Sequence, residues 1–221
     1  MSSRVAVPAQ VPPGIRLPKA VALAVILLLG GAFVFHYVFP YYLHYNNAAL
    51  FDEFWPRRGW LFAHISSGTV ALLIGPFQFS RWLRQRYLRL HRVTGRVYLI
   101  AVLCGAIAAL GLSVTTPDGA PWSVALQGLI LAWVTTSGMA YYAIRQRQIQ
   151  VHQEWMVRSY VVTFAFVTFR FLYDVPPMSR LGPVNERSIT YIWASWAVPL
   201  LATEVILQLR RMRPRGAQNA G

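Results

Sequence analysis

The residues best suited to chemistry are five histidines, and four of them fall into two layers. His36 lies about three residues from the end of the first apolar segment, and His64 about five residues into the second. At about 1.5 Å per helical residue, both would sit about 5–8 Å below the same membrane surface. His91 opens the third segment and His152 precedes the fifth, both at the opposite surface; His44 is in a loop. Imidazole is a ligand for zinc, copper and haem iron. A short repeat sharpens the haem option. His64-Ile65-Ser66-Ser67-Gly68-Thr69-Val70 and His91-Arg92-Val93-Thr94-Gly95-Arg96-Val97 both read His-x-x-[Ser/Thr]-Gly-x-Val. On a helix, positions i and i+4 share a face. Gly68 and Gly95 would therefore clear the side chain that blocks a flat ligand beside the imidazole, the geometry needed by a haem b. The same spacing also suits a tight helix crossing. His152 departs from the repeat, because Met156 stands where the glycine would be.

Three charged residues lie at matching depth near the second layer: Arg96, Arg158 and Glu204. A lone intramembrane charge is costly, so one Arg should pair with Glu204. The other would then meet an anion: a haem propionate, a lipid phosphate or an acidic substrate. The cofactor set is thus His64, His91, His152, Gly68, Gly95, Arg96 and Arg158. His36, His64, His91 and His152 are the metal-ligand candidates. An alternative outer cluster joins His36, His44 and His64 to Asp52 or Glu53. Arg170 and Asp174 are four apart and expected to pair locally. Gln78 and Gln127 are expected to bond between helices. The single cysteine, Cys104, excludes a disulfide framework and any Cys-based zinc or iron–sulfur site.

The elements that carry these residues follow from composition. The chain has 221 residues, 56% hydrophobic and 13% charged, yet its net charge is +14. A soluble domain carries about 25% charged residues. A single-domain soluble enzyme is excluded on that ground, and a basic disordered tail by the 14% aromatic content. Six apolar segments are long enough to cross a bilayer: residues 19–39, 59–80, 92–114, 122–144, 154–173 and 189–209. The first follows a basic segment, as a signal peptide would. Its apolar run is too long for a signal core and no small-x-small site follows, so an uncleaved helix is expected.

Sixteen of the 21 basic residues fall on one side of this arrangement, and Arg57, Arg58, Arg180 and Arg187 on the other. The positive-inside rule then places both termini in the cytoplasm. The expected fold is all-α: a bundle of six transmembrane helices in a bacterial inner membrane, with helices two to five as core. It divides into a cytoplasmic segment 1–18, a membrane domain 19–209 and a basic tail 210–221. The 40–58 loop is expected to be the longest outer connection, with 115–121 and 174–188 as Pro/Gly turns. The arginine run from Arg81 to Arg96 includes Trp82 and Tyr87, as nucleic-acid sites do. Its place between two spans fits anionic lipid head groups at the cytoplasmic face, and no nucleic-acid partner is expected.

The stretch from Ala63-His64 through Gly75-Pro76-Phe77-Gln78-Phe79 carries a likeness, with Leu90-His91-Arg92, Gly95-Arg96-Val97-Tyr98, His152, Trp155-Met156-Val157-Arg158-Ser159-Tyr160 and Arg170. Over residues 60–209 it resembles a bacterial family of multi-helix membrane proteins known as a domain of unknown function, number 2306. It is more faintly similar to six-helix cytochromes of the b561 type. That second likeness implies His64, His91 and His152 as haem ligands. It departs from those cytochromes in having no histidine in the fourth span. Two functional expectations follow. One is a b-type haem or quinone-linked electron-transfer subunit working with a redox protein. The other is a non-redox transporter, sensor or assembly partner with an inner-face anion or lipid pocket. No His-Glu-x-x-His or paired intramembrane Asp supports an intramembrane enzyme.

Overall fold

The computed structural model describes residues 19–174 and 183–212. Six helices are long and apolar enough to cross a membrane: α1 Val21–Leu43, α2 Asp52–Phe79, α3 Leu88–Val114, α4 Ala120–Arg145, α5 Ile149–Asp174 and α6 Glu186–Met212. There is no strand among the described residues. The segment 1–18 and the tail beyond 212 lie outside them, as do Arg180 and most of the 174–188 turn.

The helices run further than hydropathy alone predicts, most clearly between α1 and α2. The expected outer loop 40–58 is mostly helical. The α1 backbone widens to π geometry at Val34–Val38, where the Phe39 N–H bonds the Val34 carbonyl. That shift lets Pro40 enter as a first-turn residue of Phe39–Leu43. A short helix, Ala48–Phe51, capped by the Asn47 side chain, then leads into a 3-10 turn over Asp52–Arg57. The helix of α6 begins two residues before its apolar span, at Val184, so that 184–188, expected as turns, are helical, and it carries the start of the basic tail to Met212. Gly119 closes the α3–α4 turn at φ 87°, a left-handed value that glycine adopts freely.

The core is α2–α5. Between 28 and 39% of each of those spans is buried, against 11% for α1 and α6. Small residues allow the close approach. Gly75, where α2 tightens to a 3-10 turn, lies under Tyr160 of α5: a Cβ there would stand 2.4 Å from the ring. The Tyr160 hydroxyl donates to the Leu72 carbonyl at 2.9 Å.

A hydroxyl network ties the centre together. Tyr98 Oη of α3 is 2.7 Å from Ser159 Oγ and 2.8 Å from Thr163 Oγ1 of α5. Ser137 Oγ of α4 is 2.7 Å from Ser159 Oγ, and Trp133 Nε1 donates to Thr163 Oγ1 at 2.8 Å. These groups have no water to turn to in a bilayer, so they must satisfy one another. Tyr98→Phe should cost about 1 kcal/mol, the scale of interhelical polar contacts in membranes. A thermal unfolding midpoint in detergent, compared with wild type, measures it.

Of the two expected interhelical glutamines, Gln78 Nε2 donates to Thr94 Oγ1 at 2.7 Å and joins α2 to α3. Gln127 instead donates to Ser123 Oγ of its own helix at 3.0 Å. Ser123 makes the α4-to-α3 link, donating to the Ser113 carbonyl at 2.7 Å.

Candidate functional site

A cavity of about 260 Å³ opens at the end of the bundle that holds the 115–119 turn and descends between α1, α2, α4 and α5. Its walls are largely apolar, including Leu61, Leu72, Leu129 and Phe166; Trp133 and Thr163 of the hydroxyl network reach its lining. Polar groups occur at two levels. Thr116 and Asp118 of the α3–α4 turn, with Tyr37, Arg57 and Arg170 from near the ends of α1, α2 and α5, lie at the mouth. His64 and Thr69 lie deeper along α2. Arg57 to His64 is seven residues, which is two helical turns or about 10 Å.

Two features make the deep level a candidate site. The His64 Nδ1 is 3.0 Å from the Gly105 carbonyl. A carbonyl only accepts, so Nδ1 carries the proton and the neutral ring keeps its lone pair on Nε2. The Thr69 hydroxyl is buried and has no hydrogen-bond partner. An orphaned hydroxyl in an apolar setting costs free energy until something bonds it. Gly68, one turn from His64, also lines the cavity, and a Cβ there would meet nothing within 4 Å.

The two copies of the His-x-x-[Ser/Thr]-Gly repeat therefore differ in setting. The first faces the cavity. In the second, a Cβ on Gly95 would press on Gln78 Oε1 at 3.3 Å, so that glycine serves packing. His91 is half-buried with Nδ1 unpartnered. His152 Nδ1 donates to the Ala140 carbonyl at 2.8 Å. His91 and His152 are close enough to act on each other electrostatically. Neither lines the cavity, which sits toward the other end of the bundle.

The remaining candidates are dispersed. His36 is exposed with its ring against Tyr37, and His44 is exposed in the α1–α2 connection. Among the described residues, no group of three or more His, Cys, Asp or Glu stands together to hold a metal ion. The outer cluster of His36, His44 and His64 with Asp52 or Glu53 is thus not assembled. Glu204 pairs with Arg158, whose Nε donates to Oε2 at 2.9 Å, and Arg96 is exposed. Arg170 and Asp174 do not bond each other as expected. Tyr37 of α1 engages both: its hydroxyl donates to Asp174, and its ring lies 4.9 Å from the Arg170 guanidinium.

Thr69 and Arg57 were not among the sequence candidates. Thr69 sits inside the repeat, but nothing in a sequence tells a free hydroxyl from one bonded to its own helix. For Arg57 there was a signal: it is one of four arginines on the side that the charge rule leaves poor in them.

Residues 61–207 match a family model described as a predicted membrane protein, DUF2306. The chain belongs to the DUF2306 family. The match runs from within α2 to within α6, takes in the cavity wall from Leu61 onward, and begins after α1. Neither a curated protein nor a solved structure shows significant similarity to this DUF2306 protein. Membership, with the six spans, makes this a multi-pass membrane protein.

Proposed function

We propose that this DUF2306 protein binds a quinone or quinol in the α1–α5 cavity, as a quinone-linked electron-transfer component of a bacterial inner membrane. Its arginine-rich end and both termini would face the cytoplasm. The observation that carries the reading is the pairing of a lone-pair nitrogen, His64 Nε2, with an unbonded hydroxyl, Thr69 Oγ1, at the deep, largely apolar level of one cavity. The nitrogen accepts from a quinol hydroxyl, and the threonine donates to a quinone oxygen. Size supports a single ring. An apolar cavity of about 150 Å³ holds one benzene. The 260 Å³ here then suits a substituted ring, not a porphyrin, and the lining contributes one imidazole where a b561-type haem takes two. In this reading, electrons pass to or from a redox protein docked on the chain.

The test is direct. The full chain is purified in mild detergent and extracted with organic solvent, and the extract is resolved by chromatography with mass detection. About one quinone per chain is expected from wild type. About a tenfold loss is expected from His64→Ala with Thr69→Val, since each deleted bond is worth about 0.5–1.5 kcal/mol. Equal retention by the variant, or an extract without quinone, would sink the proposal. A non-quinone apolar molecule lost with the same variant would move the protein to the non-redox class.

The paired inner histidines favour one second reading, a haem b between His91 and His152. His152 has the anchored Nδ1 that ligating histidines show. A reduced-minus-oxidised spectrum of the same preparation decides it. A Soret change that survives His64→Ala and vanishes in His152→Ala supports it; a flat spectrum after haem supplementation ends it.

A further inference from the structure

The mouth of the cavity has a charge pattern that a quinone does not use. Arg57 keeps only 10% of its side-chain surface exposed. Its Nε and Nη1 donate to the carbonyls of Glu53 and Leu112, at 3.3 and 3.2 Å. Its Nη2 is buried without a hydrogen-bond partner; Glu53 Oε1 stands 3.9 Å away, an ion pair too long for a hydrogen bond. Arg170 has its guanidinium over the Tyr37 and Phe169 rings, at 4.9 and 5.8 Å, and belongs to none of the ion pairs among the described residues. Both arginines line the same mouth, and so does Asp118. The Asp118 Oδ2 accepts only from its neighbour Thr116, at 2.8 Å, and from no cation. Asp174 is engaged by Tyr37. Arg57 stands five residues into α2 and Arg170 four residues before the end of α5, so both lie within about two turns of the helix ends at the same end of the bundle.

Arg57 has only a long contact to Glu53 and an Nη2 without a hydrogen bond, and Arg170 has no carboxylate partner among the described residues; together they call for a multi-oxygen anion, and phosphate is the group that arginine forks fit best. Asp118, unpaired with any cation among the described residues, lines the same cavity and calls for one. One membrane molecule carries both at short separation. We propose that the mouth binds the head group of a zwitterionic phospholipid, with its phosphate on Arg57 and Arg170 and its primary ammonium on Asp118. The ammonium must be a hydrogen-bond donor, which favours ethanolamine over choline. The proposal does not depend on what occupies the deeper level.

The test is native mass spectrometry of the full, delipidated chain in detergent, titrated separately with palmitoyl-oleoyl phosphatidylethanolamine, phosphatidylcholine and phosphatidylglycerol. Wild type should retain the ethanolamine lipid best. Arg57→Gln with Arg170→Gln should weaken it about tenfold, as loss of charge-assisted bonds does. Arg57 also bonds the Leu112 carbonyl, so that variant could misfold. Arg170→Gln alone removes only ring contacts and keeps the test decisive, with a loss of about threefold expected. Asp118→Asn should erase the preference for ethanolamine over choline and leave phosphatidylglycerol binding intact. Equal binding of all three lipids by wild type, or no change in Arg170→Gln, overturns the proposal. Displacement of the lipid by millimolar inorganic phosphate would show a free-anion site and overturn it too.

Discussion

Gly75→Ala should destabilise the protein more than any other single methyl addition considered. The added Cβ would stand 2.4 Å from two ring carbons of Tyr160 and 3.3 Å from the Tyr98 ring. Neither ring can retreat. Tyr160 is 7% exposed and tied by its hydroxyl to Leu72, and Tyr98 is fully buried and tied to Ser159 and Thr163. The helices must part, and overpacking of this kind costs about 1–3 kcal/mol, here at the upper end. An unfolding midpoint about 6–12 °C lower in detergent is expected, at about 2–4 °C per kcal/mol for a chain this long. Two other alanines calibrate the effect. Gly68→Ala meets nothing within 4 Å and should leave the midpoint unchanged. Gly128→Ala meets the Trp193 ring at 2.7 Å, but that ring is 40% exposed and free to swing, so a small effect is expected. If Gly75→Ala melts with wild type, the tight α2–α5 contact is not what holds these helices.

Glu204→Ala should be the most damaging loss of charge. Arg158 is 8% exposed, and both its Nε and Nη2 are committed to Glu204 Oε2, at 2.9 and 2.5 Å. Removing the acid strands that guanidinium inside the bundle, with only the Trp155 ring at 4.7 Å as partner. Breaking a fully buried pair costs about 3–5 kcal/mol. Glu204 keeps 41% of its side-chain surface, so screening lowers the figure to about 2 kcal/mol. The Arg211–Glu154 pair still holds α6 to α5 nearby. The informative comparison is with Arg158→Leu and Glu204→Leu together. Removing both charges leaves nothing stranded, so the double variant should melt above Glu204→Ala. A double variant no more stable than Glu204→Ala would show that the pair stabilises outright.

Both effects lie on contacts between helices, which the sequence reveals unevenly. The span count and the core of α2–α5 were legible because hydropathy adds up along the chain and needs no partner. Glu204 announced itself, since an acid inside an apolar span must be neutralised. Which arginine would neutralise it was not legible: Arg96 and Arg158 have the same depth, and only the rotation of α3 and α5 about their axes separates the exposed one from the buried one. The helical filling of the 40–58 connection was hidden by its polar residues and Pro40, which π geometry accommodates.

Chemistry followed the same division. The residue types on offer, imidazoles in two layers and arginines against the charge rule, were plain from order and hydropathy, because cost in a bilayer depends on residue type and depth. Their grouping depended on distances between helices. Two identical motifs ended in different settings: Gly68 opens onto a cavity and Gly95 closes against Gln78. His64 became a lone-pair nitrogen only because Gly105 of the next helix fixes its proton. Thr69, Arg57 and Asp118 gained their interest from bonds they do not make, and an unmade bond is visible only once every neighbour has a place.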